Sequence, residues 1–140
     1  MRTAGSGRLV WIASVAGYRG LPGGVAYSAS KAAAIVYLEG LRVEMHGGGI
    51  SVITICPGYI DTLMTANNPF FMPFILSAAE MADKVIRAIK HKRLCTVIPR
   101  KMAIVARALR LLPNFLYDRL FANDSSAVCY RGYSCGGCSD

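Results

Sequence analysis

The chain has 140 residues, enough for one domain with a modest core. Its residues are 54% apolar and 17% charged, which excludes a disordered or collagen-like chain. The formal net charge is +8, and ten of the 16 Lys and Arg residues lie between Lys84 and Arg119; such a cluster suits a solvated face, an anionic membrane surface, an acidic partner or nucleic acid.

No apolar stretch precedes Leu9, so no secretory signal is expected. No uninterrupted apolar run approaches the roughly 20 residues that span a bilayer. A cytoplasmic or membrane-peripheral protein is the expectation. Leu9 to Ala13 is a short, continuously apolar run ending in Ser14, the pattern of a strand buried on both faces of a parallel sheet. Gly17, Gly20, Pro22, Gly23 and Gly24 mark a loop. Ala26 to Met45 is alanine-rich and free of proline, which predicts a long helix ended by Gly47, Gly48 and Gly49. Ile50 to Cys56 predicts a second strand, stopped by Pro57 and Gly58. Strand, helix, strand in this order is a βαβ unit with parallel strands.

Asp61 to Leu76 is expected to be irregular, with Phe70, Phe71, Met72 and Phe74 suggesting a lid or an apolar binding surface. Ser77 and Glu80 have the spacing of a capping box, so a helix is predicted from there to Lys90. Leu94 to Ile98 predicts a third strand. Arg100 to Leu112 predicts a helix with Met102, Val105, Leu109 and Leu112 on one side and Arg100, Arg107 and Arg110 on the other. Pro113 breaks it, and Asn114 to Phe121 adds one or two turns. Residues 1–121 are read as one domain and 122–140 as a disordered tail. Cys56 and Cys95 fall in strand-like runs and are expected to be reduced core residues. Cys129, Cys135 and Cys138 have no histidine near them in sequence, so no metal is assigned.

Three residues carry the chemical argument. Tyr27 and Lys31 are four apart near the start of a helix, which puts their side chains on one face. Ser14 ends the preceding strand, and ligand crevices of open α/β sheets lie outside the carboxyl ends of their strands. A free tyrosine is a poor base at neutral pH, and an ammonium nearby stabilises the phenolate. Tyr27 can then exchange a proton with a carbonyl or alcohol oxygen, which Ser14 can hold in place. The hydride would belong to a nicotinamide cofactor.

The stretches Leu9 to Gly17, Ala26 to Ala33 and Ile53 to Thr62, with a Ser-to-Tyr spacing of 13, resemble the active-site half of the short-chain dehydrogenase/reductase family. The resemblance covers roughly Gly7 to Leu120. It implies a Rossmann-like, doubly wound parallel α/β sheet, incomplete here, with three strands matching the fifth, sixth and seventh of the family's 3-2-1-4-5-6-7 order. It implies an NAD- or NADP-dependent oxidoreductase acting on a small carbonyl or alcohol, with Ser14, Tyr27 and Lys31 catalytic. It further implies that Tyr27, Lys31, Pro57, Gly58, Ile60 and Thr62 line the cofactor.

The family's glycine-rich phosphate loop, its Asn-Asn-Ala-Gly segment and its helix asparagine have no counterpart in these residues. The expectation is therefore an incomplete unit whose first strand has an open apolar edge. Such a chain would self-associate as a homo-oligomer or pair with a complementing N-terminal half. A competing reading is a non-catalytic module that pairs with a full-length relative. The basic segment from Arg100 to Phe121 resembles C-terminal extensions of membrane-associated members; it suits either a membrane surface or packing on the sheet. Nucleic acid is not expected, because no aromatic stacking positions interleave the basic residues.

Overall fold

The computed structural model describes residues 1, 3–66, 72 and 74–125. Three parallel strands make the main sheet: β1 (Gly7–Ile12), β2 (Ile50–Pro57) and, after intervening elements, β5 (Cys95–Ile98), in the order β1-β2-β5. Ile12 pairs with Ile55, and Pro57 with Ile98, so all three strands end at the same edge.

β2 is central, and its residues from Val52 to Pro57 are buried. Side chains alternate across a strand, so β2 feeds two apolar clusters. Cys56 packs with Ala13, Ile35, Val97 and Met102 on one face. Ile53 and Ile55 pack with Met81, Ala88 and Ile98 on the other. Helix α1 (Val25–Glu44) covers the first face through Ile35 and Leu38. It ends where the Met45 amide bonds the Leu41 carbonyl and Gly47 takes a φ of +85°.

The loop Asp61 to Leu76 is more regular than its sequence implies. β3 (Ile60–Asp61) pairs in parallel with β4 (Leu76–Ser77), and a single helical turn, α2 (Leu63–Ala66), lies between them. Phe70 and Phe71 fall outside the described residues. Phe74 is exposed, with the Lys101 ammonium 5.6 Å from its ring centroid. Helix α3 (Ala78–Lys90) opens on the expected capping box: the Ser77 hydroxyl accepts from the Glu80 amide, and the Ser77 amide donates to the Glu80 carboxylate. Its Met81 and Ala88 cover the second face of the sheet.

Helix α4 (Arg100–Leu111) buries Met102 and Ala106, one turn apart, against the face that α1 covers. Arg100, Arg107 and Arg110 are exposed. Helix α5 (Asn114–Ser125) follows Pro113, whose carbonyl accepts from the Leu116 and Tyr117 amides.

Three expectations change. α5 runs through Ser125 rather than stopping near Phe121, so 122–125 is helical; residues 126–140, with Cys129, Cys135 and Cys138, lie outside the described residues. β1 has the expected open edge, with nothing paired to it opposite β2 among the described residues, but it is not buried on both faces: Trp11 and Ile12 stay about half exposed. Cys95 is exposed rather than in the core, because it opens β5 before that strand is covered by α4; burial begins at Val97.

Candidate active site

The shared carboxyl edge of the three strands gathers the candidate residues. Beyond Ile12 the chain keeps one more bond to β2, from the Ala13 amide to the Ile55 carbonyl. Ser14 follows, buried, and starts the 3-10 turn Val15–Tyr18. Its Oγ accepts from the Ala16 amide at 3.2 Å. A serine hydroxyl offers one donor beside its acceptor sites, so the Ser14 proton remains available to an incoming oxygen.

The turn lies directly on α1. A Cβ at Gly17 would come within 2.7 Å of the Lys31 carbonyl carbon and 2.9 Å of the Ala32 amide. Only glycine lets the tip of β1 approach the helix this closely, and the approach is at the turn that carries Lys31.

Tyr27 and Lys31 meet as their spacing requires. The Lys31 Nζ lies 5.5 Å from the Tyr27 ring centroid, and the Tyr27 side chain is 53% exposed. The phenol is thus reachable from solvent with a cation beside it. Ser14 is hydrogen-bonded to neither of them; it precedes the 3-10 turn whose Gly17 lies against α1 at Lys31. An ammonium beside a solvent-reachable phenol suits a carbonyl, an alcohol or a diol.

The remaining candidates divide. Pro57 is buried at the end of β2, and Ile60 joins the cluster of Ile53 and Ile55. The Gly58 amide donates to the Ile98 carbonyl at 2.7 Å. Its missing side chain leaves room for Met102, which a Cβ there would meet at 3.2 Å. Thr62 is exposed; its amide donates to Thr65 Oγ1 at 3.0 Å, and that hydroxyl in turn donates to the carbonyls of Ile60 and Thr62. Thr65 therefore shapes the segment after Gly58, a role that sequence reasoning missed.

Three further residues went unrecognised. Ser28 Oγ accepts from the Leu21 amide, which pins the loop to α1 next to Tyr27. From the same loop Arg19 donates to the Leu112 carbonyl at 3.2 Å and to Asn114 Oδ1 at 2.8 Å, and its guanidinium lies 4.4 Å from the Tyr117 ring centroid. The Tyr117 hydroxyl donates to the Gly20 carbonyl. Arg19 also lends positive charge to the C-terminal end of α4. A buried serine in an apolar helix was the one available signal for Ser28; the clasp from Arg19 and Gly20 to Tyr117 spans more than ninety residues and leaves no local trace.

A second polar cluster lies one layer below. The Tyr18 hydroxyl is 3.7 Å from Cys95 Sγ. Hydrogen bonds from the Cys56 thiol and, after it, Tyr18 hold the Cys95 thiol down at about 6. The same contact, together with burial, pushes the Cys56 thiol well above its ordinary range. Burial, then the Cys95 sulfur, raises Tyr18.

Comparison with known proteins bears on this arrangement. A family model described as short chain dehydrogenase matches residues 1–70. An uncharacterized oxidoreductase of Myxococcus xanthus is 38% identical over 112 residues, covering 80% of this chain and 44% of that protein. The ketoacyl reductase HetN of Nostoc is 38% identical over 96 residues, covering 66% of this chain and 33% of that protein. The chain thus spans less than half the length of these relatives. Among solved structures, a short chain dehydrogenase of Burkholderia cenocepacia in complex with NADP superposes with a TM-score of 0.69 at 30% identity, over 82% of this chain and 47% of that one. A short-chain dehydrogenase of Sphingobium yanoikuyae in complex with NADPH shares the fold, with a TM-score of 0.62 at 21% identity, over 99% of this chain and 50% of that one.

Proposed function

From the premise that this chain belongs to the short-chain dehydrogenase family, we propose that it supplies the proton-transfer half of an NAD(P)-dependent oxidoreductase acting on a carbonyl or alcohol. The observation that carries the reading is the exposed Tyr27 phenol with the Lys31 ammonium one turn away, at the edge where Ser14 and Gly58 also end their strands.

The donor chemistry fits a nicotinamide nucleoside. The Lys31 ammonium and the Tyr27 hydroxyl suit the two oxygens of a ribose diol, and exposed Thr62 suits an amide or a phosphate. No described strand-to-helix turn offers a glycine-rich cradle for a pyrophosphate, so dinucleotide affinity in this reading depends on residues beyond those described. When bound, the dinucleotide supplies or accepts the hydride. In the reductive direction Ser14 donates a hydrogen bond to the carbonyl oxygen and fixes its position. Tyr27 then gives its phenolic proton to that oxygen as the carbon gains the hydride. Lys31 stabilises the phenolate that remains, and solvent at the exposed ring returns the proton.

The test is complementation. The 140-residue chain is mixed with the N-terminal half of the Myxococcus xanthus relative, and oxidation of NADPH or NADH is followed over a panel of ketones. Turnover should need both chains and fall on the order of 10²-fold or more with Tyr27→Phe. Turnover indifferent to Tyr27 would reject the mechanism.

A second reading has its own support. The unpaired edge of β1, with Trp11 and Ile12 beside it, suits a non-catalytic module that adds to another sheet or to a second copy of itself. Stable pairing with a full-length relative that leaves no Tyr27-dependent turnover would favour it.

A peripheral membrane site is also part of the proposal. Among the described residues no helix is long and apolar enough to cross a membrane. Ile104, Leu111, Phe115 and Leu120 are exposed on α4 and α5 among Arg107, Arg110 and Arg119, a pattern that suits the surface of an anionic bilayer. Flotation with anionic vesicles, absent with neutral ones and lost in a Leu111→Ser, Phe115→Ser double variant, is the expected result.

A further inference from the structure

We propose that the cavity under α4 takes the apolar arm of the substrate, as an alkyl chain of medium length. The proposal rests on the carbonyl-reduction reading above and adds a substrate class to it. The cavity measures about 210 Å³. Val15 and Ala16, the two residues after Ser14, form one wall with Tyr59, the residue after Gly58. Met102, Ala106 and Leu109, on successive turns of α4, form the other. The cavity therefore lies between the turns that follow Ser14 and Gly58 and the α4 helix.

Its chemistry points to one kind of occupant. Of its eleven lining residues only Tyr18, Arg19 and Tyr59 carry a polar side-chain group, so a polar group placed there would give up hydrogen bonds to water with few in return. A water-sized group takes about 30 Å³, so the cavity holds on the order of seven of them. That is the size of a short alkyl chain. The lid is also held in place: the Arg19 bonds to Leu112 and Asn114, and the Tyr117 bond to Gly20, clamp the α4–α5 corner onto the loop that forms the floor. Held walls favour a ligand that fits them without reorganisation.

Methyl NMR on the full chain, without cofactor, tests this with octanone and butanone as probes. Octanone should cause saturable shifts confined to the Val15, Met102 and Leu109 methyls and bind at least about tenfold more tightly than butanone. Ala106→Phe, which fills the cavity, should weaken octanone by a similar factor. Leu109→Ala, which enlarges it, should move the preference toward decanone; it decides the matter if the phenylalanine variant does not fold. Shifts spread over the exposed Val36 and Val43 methyls, binding undiminished in Ala106→Phe, or an unmoved chain-length preference in Leu109→Ala would overturn the proposal. Binding is read apart from turnover. Intact octanone binding without Tyr27-dependent reduction would sink the reaction and leave the cavity standing.

Discussion

Gly17 shows how tightly the site is set at the level of single residues. A methyl group there would meet the Lys31–Ala32 peptide bond of α1, which cannot rotate away, and the Ile35 side chain. Gly17→Ala should destabilise the fold by roughly 1–3 kcal/mol, read as a lowered Tm, and should separate Ser14 from Lys31. A Tm unchanged by the substitution would mean that the turn does not press on α1. The thiol pair offers a second check. Because the Cys56 thiol and the Tyr18 hydroxyl favour the Cys95 thiolate, Cys95 should be alkylated by iodoacetamide with a pH midpoint near 6. Cys56→Ala should move that midpoint upward. A midpoint in the ordinary thiol range in the unaltered chain would contradict the cluster. The proximity of Tyr27 and Lys31 was legible in sequence because it is local, one helical turn, as was the place of Ser14 just beyond β1. Exposure of Cys95 was not legible, since it depends on which neighbours cover the start of β5.

Elements differ in how far local sequence determines them. α3 is determined locally: Ser77 and Glu80 satisfy each other's backbone groups whatever lies around them. Ser77→Ala should cost about 1 kcal/mol, measurable by urea denaturation. The Ser77 amide, and then its hydroxyl, hold the Glu80 carboxyl below its usual range. A depressed carboxyl contributes stability that is complete above its ordinary value and fades as pH falls through the lowered one. Acid titration of the chain should therefore show a loss beginning below about 4.5, its ordinary value, and Glu80→Gln should remove that component; an identical acid limb in the variant would count against it. The α4–α5 pair behaves differently. Its amphipathic face was legible only in part: Met102 is buried and Leu109 half-buried, but Val105 is exposed and Ala106 is the second buried residue; its attachment to the loop at Arg19 and Gly20 arises from tertiary contacts alone. The continuation of α5 through Ser125 was likewise hidden, because Asn123, Asp124 and Ser125 are residues that compete with helical hydrogen bonds in isolation.

For the whole molecule, the parallel direction of β1 and β2 followed from the βαβ pattern and the strand order from the family resemblance, and the structure has both. The open edge of β1 was expected from the family resemblance, whereas the exposure of Trp11 and Ile12 was not, because a continuous apolar run looks alike whether or not both its faces are covered. That edge should make the chain associate. Sedimentation at rising concentration should show oligomers, and Trp11→Lys with Ile12→Lys should shift the distribution toward monomer; oligomers indifferent to both lysines would place the contact elsewhere. The clasp has a different consequence, one of timing. Tyr117 reaches back 97 residues to Gly20, so the loop leading into Tyr27 waits for one of the last helices to emerge during synthesis. Until then the loop is held by the Gly24 amide bond to the Leu21 carbonyl and tied to α1 by the Leu21 amide bond to Ser28 Oγ. The proton-transfer corner should thus be among the last parts of the chain to become rigid, and hydrogen exchange at the Leu21 and Gly24 amides of a nascent chain halted before Pro113 should be faster than in the finished one.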